Sequence, residues 1–250
     1  MAKQLGLPGT EGAPRRAGAS KRGGARAGAG RKRTLPGRPR HPHRTRPFHD
    51  RRQPVHVVLR VAGELGRLRR RKAYAAIRAA MIATLGRAGF RVVHVSIQHH
   101  HIHLLCEADD RAALSNGVRA LCISAARRLN LLVTEERGVR RRGRVFADRY
   151  HATAIARPAQ ARHALAYVLN NWRHHREDHV GVGARRAPLD RYASGVAFAG
   201  WAERDGVPFR WPRGYEPMPT AGPKTWLLRV GWKRGGPAPS LWEVPGPLHA

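Results

Sequence analysis

Seven stretches of the chain carry a regular spacing of apolar positions, and their order predicts the architecture. From Pro54, the residues Val55, Val57, Leu59 and Val61 alternate with His56, Val58 and Arg60. That period of two belongs to a strand with one buried face. Over about 70–88 the apolar residues Tyr74, Ile77, Met81, Leu85 and Ala88 recur at helical spacing, and Gly89 is the predicted stop. Residues 91–98 alternate again, with Val93, Val95 and Ile97 on one face and His94, Ser96 and Gln98 on the other. The run from His99 to Glu107 reads as a further strand, joined to the preceding one by a tight turn near Gln98 to His100.

Asp109 and Asp110 then suit a helix N-terminus, where carboxylates meet free backbone N–H groups. Leu114, Val118, Leu121, Cys122, Ala125 and Leu129 form the stripe of that helix. After an Arg-rich loop (Arg140, Arg141, Arg142, Arg144), residues 148–156 read as a fourth strand and 159–175 as a third helix. The order β-α-β-β-α-β-α predicts an α+β fold: a ferredoxin-like antiparallel sheet with helices packed on one face, plus a C-terminal helix.

Composition divides the chain into three parts. Residues 1–52 are Gly, Ala, Pro and Arg with almost no large apolar residue, so a disordered basic tail is expected there. Residues 53–180 hold the patterned domain, and 181–250 form a Pro/Gly/Trp-rich appendage expected to lie extended on it. The net charge is +32, and the tail holds 15 basic against 2 acidic residues, so +19 belongs to the remainder. Such a surface calls for a polyanion, and nucleic acid is the first partner to consider. No apolar run approaches the roughly 18 residues of a membrane span. The tail is Arg-rich and acid-poor like an organelle transit peptide, but it is full of Gly and Pro rather than amphipathic. Cys106 and Cys122 lie in apolar-patterned segments and read as buried thiols in a reducing cytoplasm.

Two segments carry candidate chemistry. In a strand, His101 and His103 project to one face while Ile102 and Leu104 project to the other. Two imidazoles about 7 Å apart on one strand face can chelate an ion. His99 shares that face as a substitute ligand or as polar surface, and His-x-His also occurs on ordinary exposed sheets. In the third helix, Leu165, Val168, Leu169 and Trp172 make the core stripe. Tyr167 lies nearly opposite, with His163, Asn170, Asn171 and His174 on its side. Tyr167 and Asn171 are i and i+4, neighbours one turn apart. If the helix crosses the histidine-bearing face, an ion held by two imidazoles and an amide oxygen can polarise a phosphate for attack by the phenolate.

These residues resemble a known family. The strand order, His101-Ile102-His103 followed by Leu104-Leu105, and the later Tyr167-Val168-Leu169-Asn170-Asn171 are similar to the single-tyrosine HUH transposases, which include insertion-sequence transposases and REP-associated tyrosine transposases. The resemblance spans about Pro54 to His179, and residues 145–151 look like the segment preceding the catalytic helix in the REP-associated branch. It implies Mg²⁺ or Mn²⁺ at His101 and His103, Asn171 as third ligand, and Tyr167 as the nucleophile forming a 5′-phosphotyrosine link with cleaved single-stranded or hairpin DNA. It also implies a bacterial, cytoplasmic, nucleoid-associated protein acting in DNA transposition or as a domesticated relative, as a monomer or as a homodimer. Asn-Asn stands where the family often has Asn-Pro, which predicts a helix running on through Trp172. Arg60, Arg149 and Arg173 are the expected DNA contacts.

Three other readings remain open on the sequence. A non-catalytic nucleic-acid-binding protein could use the same basic sheet face, with Tyr167 as a stacking platform. A zinc protein would need the Cys spacing or third histidine that the run lacks. A basic RNA-binding or ribosome-associated protein would account for the tail and leave the paired motifs unexplained.

Overall fold

A computed structural model describes residues 50–203 and 213–246. The predicted basic tail lies outside the described residues up to position 49. β1 (Val55–Arg60), β2 (Phe90–Ile97), β3 (His101–Ala108) and β4 (His151–Ala154) form one sheet in the order β2-β3-β1-β4. Every neighbouring pair is antiparallel. The helices α1 (Arg71–Ile82) and α2 (Arg111–Arg137) complete the βαββαβ order of the ferredoxin-like α+β fold predicted from the patterning.

The alternation in β1 and β3 explains where the core sits. Val55, Val57 and Leu59 join Ile102, Leu104 and Cys106 on one face, where α1 and α2 bury them with Tyr74, Ile77, Met81, Leu114, Val118 and Leu129. Each fully buried side chain of this size contributes roughly 1.5–3 kcal/mol. The Asp110 carboxylate caps α2 by accepting from Ala113 N at 2.7 Å. Gly117 of α2 lies so close to β2 that a Cβ there would sit 2.1 Å from the Phe90 ring.

Two local expectations are corrected. Val93 does not share the helix-covered face with Val95 and Ile97: a bulge between Val92 and His94 turns Val92 inward in its place. Val93 joins a second apolar cluster on the other face. The first helix also stops at Ile82, not at Gly89. Residues 83–86 are turns, with the Thr84 hydroxyl donating back to Met81 O at 2.9 Å, and Leu85 is left exposed.

The face of the sheet opposite α1 and α2 carries α3 (Pro158–Leu169). Pro158 occupies the first helical position, and the Gln160 side chain accepts from the N–H groups of Ala156 and Arg157 at 3.0 and 3.2 Å. Leu165, Val168 and Leu169 pack on Val93 and Leu105. Phe198, Trp201, Leu227, Leu228, Trp232 and Leu241 of the C-terminal segment close the same cluster. That segment includes α5 (Val182–Arg186) and α6 (Trp226–Arg229). Residues 192–194 run along the outer edge of β2, where Ile97 N donates to Tyr192 O and Ser194 N to Val95 O. An otherwise unpaired sheet edge is covered in this way.

Candidate active site

Successive residues of β3 on the α3 side are His101, His103, Leu105 and Glu107. Leu105 lies under α3, and the Glu107 carboxylate accepts from Lys224 N, Thr225 N and the Thr225 hydroxyl at 2.7–2.9 Å. The two histidines therefore occupy the part of this face that α3 reaches with its polar side. The rings of His101 and His103 lie 4.6 Å apart, centre to centre.

Tyr167 comes from the side of α3 opposite the buried stripe, as the helical spacing predicts. Its ring meets His103 edge-on at 5.4 Å and a further histidine, His56 of β1, at 5.9 Å. His163 stacks beside it at 6.4 Å, and His174 lies at 5.8 Å on the other side. The structure thus brings Tyr167, His101 and His103 together within one chain.

The helix does not run on through Trp172. It breaks at Asn170 (φ −106°, ψ 16°) and resumes as α4 (Asn171–His174). At the break the Asn170 amide donates to Ser240 O at 2.8 Å, a partner off the helix that a short polar side chain can reach. Asn171 is fully buried, and both its side-chain polar atoms lack a protein partner. One turn further on, His175 turns toward the pair, 5.2 Å from the His101 ring. One nitrogen from each of His101, His103 and His175 lies within 4.8 Å of the others. His175, eight positions after Tyr167, is not among the residues that helical spacing singles out. The adjacent His174-His175 pair was the available signal.

The electrostatics suit a cation binder whose ligands are neutral bases. Desolvation is the main cause that lowers His101 to about 3 and His56 to about 4, and neighbouring His175 and His151, respectively, add repulsion. Burial, then the charges of His56 and His101, hold His103 well below its usual value. At neutral pH these rings keep their lone pairs. His103 Nε2 is buried without a hydrogen-bond partner. The unpaired buried Nε2 of His103, the unpaired buried amide of Asn171 and a third imidazole at His175 fit a divalent ion of borderline hardness.

The remaining predicted residues are placed differently. His99 turns away from the pair, with Nδ1 2.9 Å from Glu177. Arg60 is exposed at the end of β1, directly across from His101 in the register. Arg149 is exposed just ahead of β4. Arg173 is not on an open DNA-facing surface: it is 6% exposed and donates to Leu241 O, Asp178 and Ala187 O. Its guanidinium lies over the Trp172 and Trp242 rings. With Arg162, which holds Pro237 O and Glu243, it straps the C-terminal segment along α3 and α4.

Residues 51–171 match the family model of IS200-like transposases. That span runs from β1 through the sheet and α3 to Asn171, and the domain it defines belongs to this family, the single-tyrosine HUH transposases. A search of curated proteins finds no match. Among solved structures, a REP-associated tyrosine transposase bound to a REP hairpin matches at 16% identity and a TM-score of 0.43, covering 72% of this chain and 92% of that one. Among the described residues, no helix is long and apolar enough to cross a membrane.

Proposed function

We propose that the domain cleaves and rejoins single-stranded DNA, in particular strands bearing hairpins, by transferring a phosphodiester to Tyr167. The observation that carries this reading is the Tyr167 ring set edge-on over His103, whose buried Nε2 has no partner. Tyr167 Oη attacks the scissile phosphorus, a P–Oη bond forms, and the bond from phosphorus to the 3′ oxygen breaks. The 5′ phosphate stays on the tyrosine, and the phenolic proton ends on the released 3′ oxygen. One phosphoester replaces another, so the same 3′-hydroxyl, or that of another strand, can reverse the step without an external energy source.

A divalent ion, Mg²⁺ or Mn²⁺, held by His101 and His103 with Asn171 and His175 as further donors, would supply Lewis-acid polarisation of the phosphate. The protein's own contribution is placement. The packed face of α3 fixes the height of Tyr167 above the sheet, and His163 and His174 flank its ring. Arg60 and Arg149 are proposed to hold the DNA backbone. Because tyrosine and histidines come from one chain, the reading needs only a monomer, and a homodimer with exchanged tyrosines is its alternative. The setting is bacterial DNA transposition, or a domesticated use of the same chemistry, at the nucleoid in the cytoplasm.

The test uses the purified full chain, Mg²⁺ or Mn²⁺, and labelled hairpin-forming single strands taken from the DNA on either side of its coding region. A covalent protein–DNA band on a denaturing gel, lost in Tyr167→Phe and in His101→Ala, is the expected result. Tight DNA binding with no such band under either metal would overturn the reading in favour of a non-catalytic nucleic-acid-binding protein.

A further inference from the structure

His56 entered the sequence pattern only as a polar position of β1. In the structure it is 5% exposed, and its Nε2 lies 2.9 Å from Nδ1 of His103. The register explains the contact. Val58 stands opposite His103 and His56 opposite Leu105, so the two histidines are diagonal neighbours on one face of adjacent strands. Their rings are nearly parallel, 9° apart in plane and 5.1 Å between centres. The Tyr167 ring stands nearly perpendicular to both, 5.9 Å from His56 and 5.4 Å from His103.

A neutral imidazole has one N–H and one lone pair. His103 has its Nδ1 engaged by His56 and its Nε2 buried without a partner. Only one arrangement leaves Nε2 a free lone pair: the proton sits on Nδ1 of His103 and is donated to Nε2 of His56. Histidines that bind metals commonly donate their other ring N–H to an acceptor that fixes tautomer and orientation, usually a carboxylate or a backbone carbonyl. Here another imidazole stands in that place.

We propose that His56 is the positioning residue of the candidate metal site, accepting the Nδ1–H of His103 and so aiming the Nε2 lone pair of His103 at the ion. The inference rests on the reading of His101 and His103 as metal ligands. His56 touches neither DNA nor metal in this role; it acts through His103.

The experiment compares wild type, His56→Phe and His56→Gln as full chains without DNA. Phe keeps a flat ring in the stack and removes the acceptor, whereas Gln restores an acceptor oxygen. Mn²⁺ affinity by calorimetry should fall roughly 10- to 100-fold in His56→Phe and recover at least in part in His56→Gln. Long-range ¹H–¹⁵N spectra of histidine-labelled protein, with the His103 signals assigned by their loss in His103→Ala, read the tautomer directly and without metal. Wild type should carry the His103 proton on Nδ1, and His56→Phe should lose that preference. Wild-type Mn²⁺ affinity and an unchanged tautomer in His56→Phe would overturn the proposal while leaving the metal site standing. A wild-type protein that binds no Mn²⁺ would overturn both. If His56→Phe does not fold, His56→Gln decides: wild-type tautomer and affinity support the role, and loss of both despite the acceptor overturns it.

Discussion

Acid should loosen the attachment of the C-terminal segment to the sheet through one buried histidine of β2 that belongs to none of the candidate metal ligands. His94 of β2 is 6% exposed, packs edge-on against Phe198, and has Nδ1 3.2 Å from the Ser194 hydroxyl. Burial lowers its pKa from 6.5 to about 4. At pH 7 the ring is neutral both folded and unfolded, and it adds no pH dependence. As pH falls through 6.5 the unfolded chain takes up a proton that the folded chain refuses, so stability drops, levelling off only as pH nears 4. Between pH 7 and pH 5 this single group should cost roughly 2 kcal/mol by linkage. The perturbation is His94→Gln, which keeps a polar partner for Ser194 and removes the titration. Urea unfolding at both pH values measures the fall for each protein. Buried His56 and His101 contribute to acid sensitivity in both, so the difference between the two falls isolates His94. Equal falls in wild type and variant would refute the reasoning.

Three other outcomes follow from named contacts. Gly117→Ala should destabilise the fold by about 1–3 kcal/mol through overpacking against Phe90, and Phe90→Leu should relieve part of that cost, read as a non-additive double-mutant cycle. Glu107→Ala removes the acceptor of three hydrogen bonds at Lys224 and Thr225; about 3 kcal/mol of stability should go, with faster amide exchange over 224–229. A site with three imidazole donors should bind Zn²⁺ and Ni²⁺ more tightly than Mn²⁺, and Mn²⁺ more tightly than Mg²⁺, with His175→Ala weakening all of them in calorimetry. Affinities unchanged in His175→Ala would remove His175 from the ligand set.

Local periodicity carried much of this structure in readable form. The alternation in β1 and β3 placed His101 and His103 on the face away from α1 and α2, and helical spacing put Tyr167 opposite the buried stripe of α3. What was not legible depended on contacts between distant segments. Arg173 looks like one more basic residue until Leu241 O, Asp178 and Trp242 enclose it. His175 meets the histidine pair from beyond the helix break at Asn170, where a carbonyl 70 positions away accepts from the side-chain amide. His56 acquires its role from a diagonal cross-strand contact, and Val93 changes face through a bulge that period-two reading cannot contain.

The central claim is that Tyr167 takes up the cleaved strand. The covalent product of protein, Mn²⁺ and flanking single-stranded DNA should be digested with nuclease and trypsin and sequenced by mass spectrometry. The account predicts a nucleotide 5′ phosphate on Tyr167 within the peptide His163–Arg173, absent when a chelator is present throughout. A nucleotide carried on Tyr150 or any other residue, or cleavage that leaves no modified peptide, would contradict it.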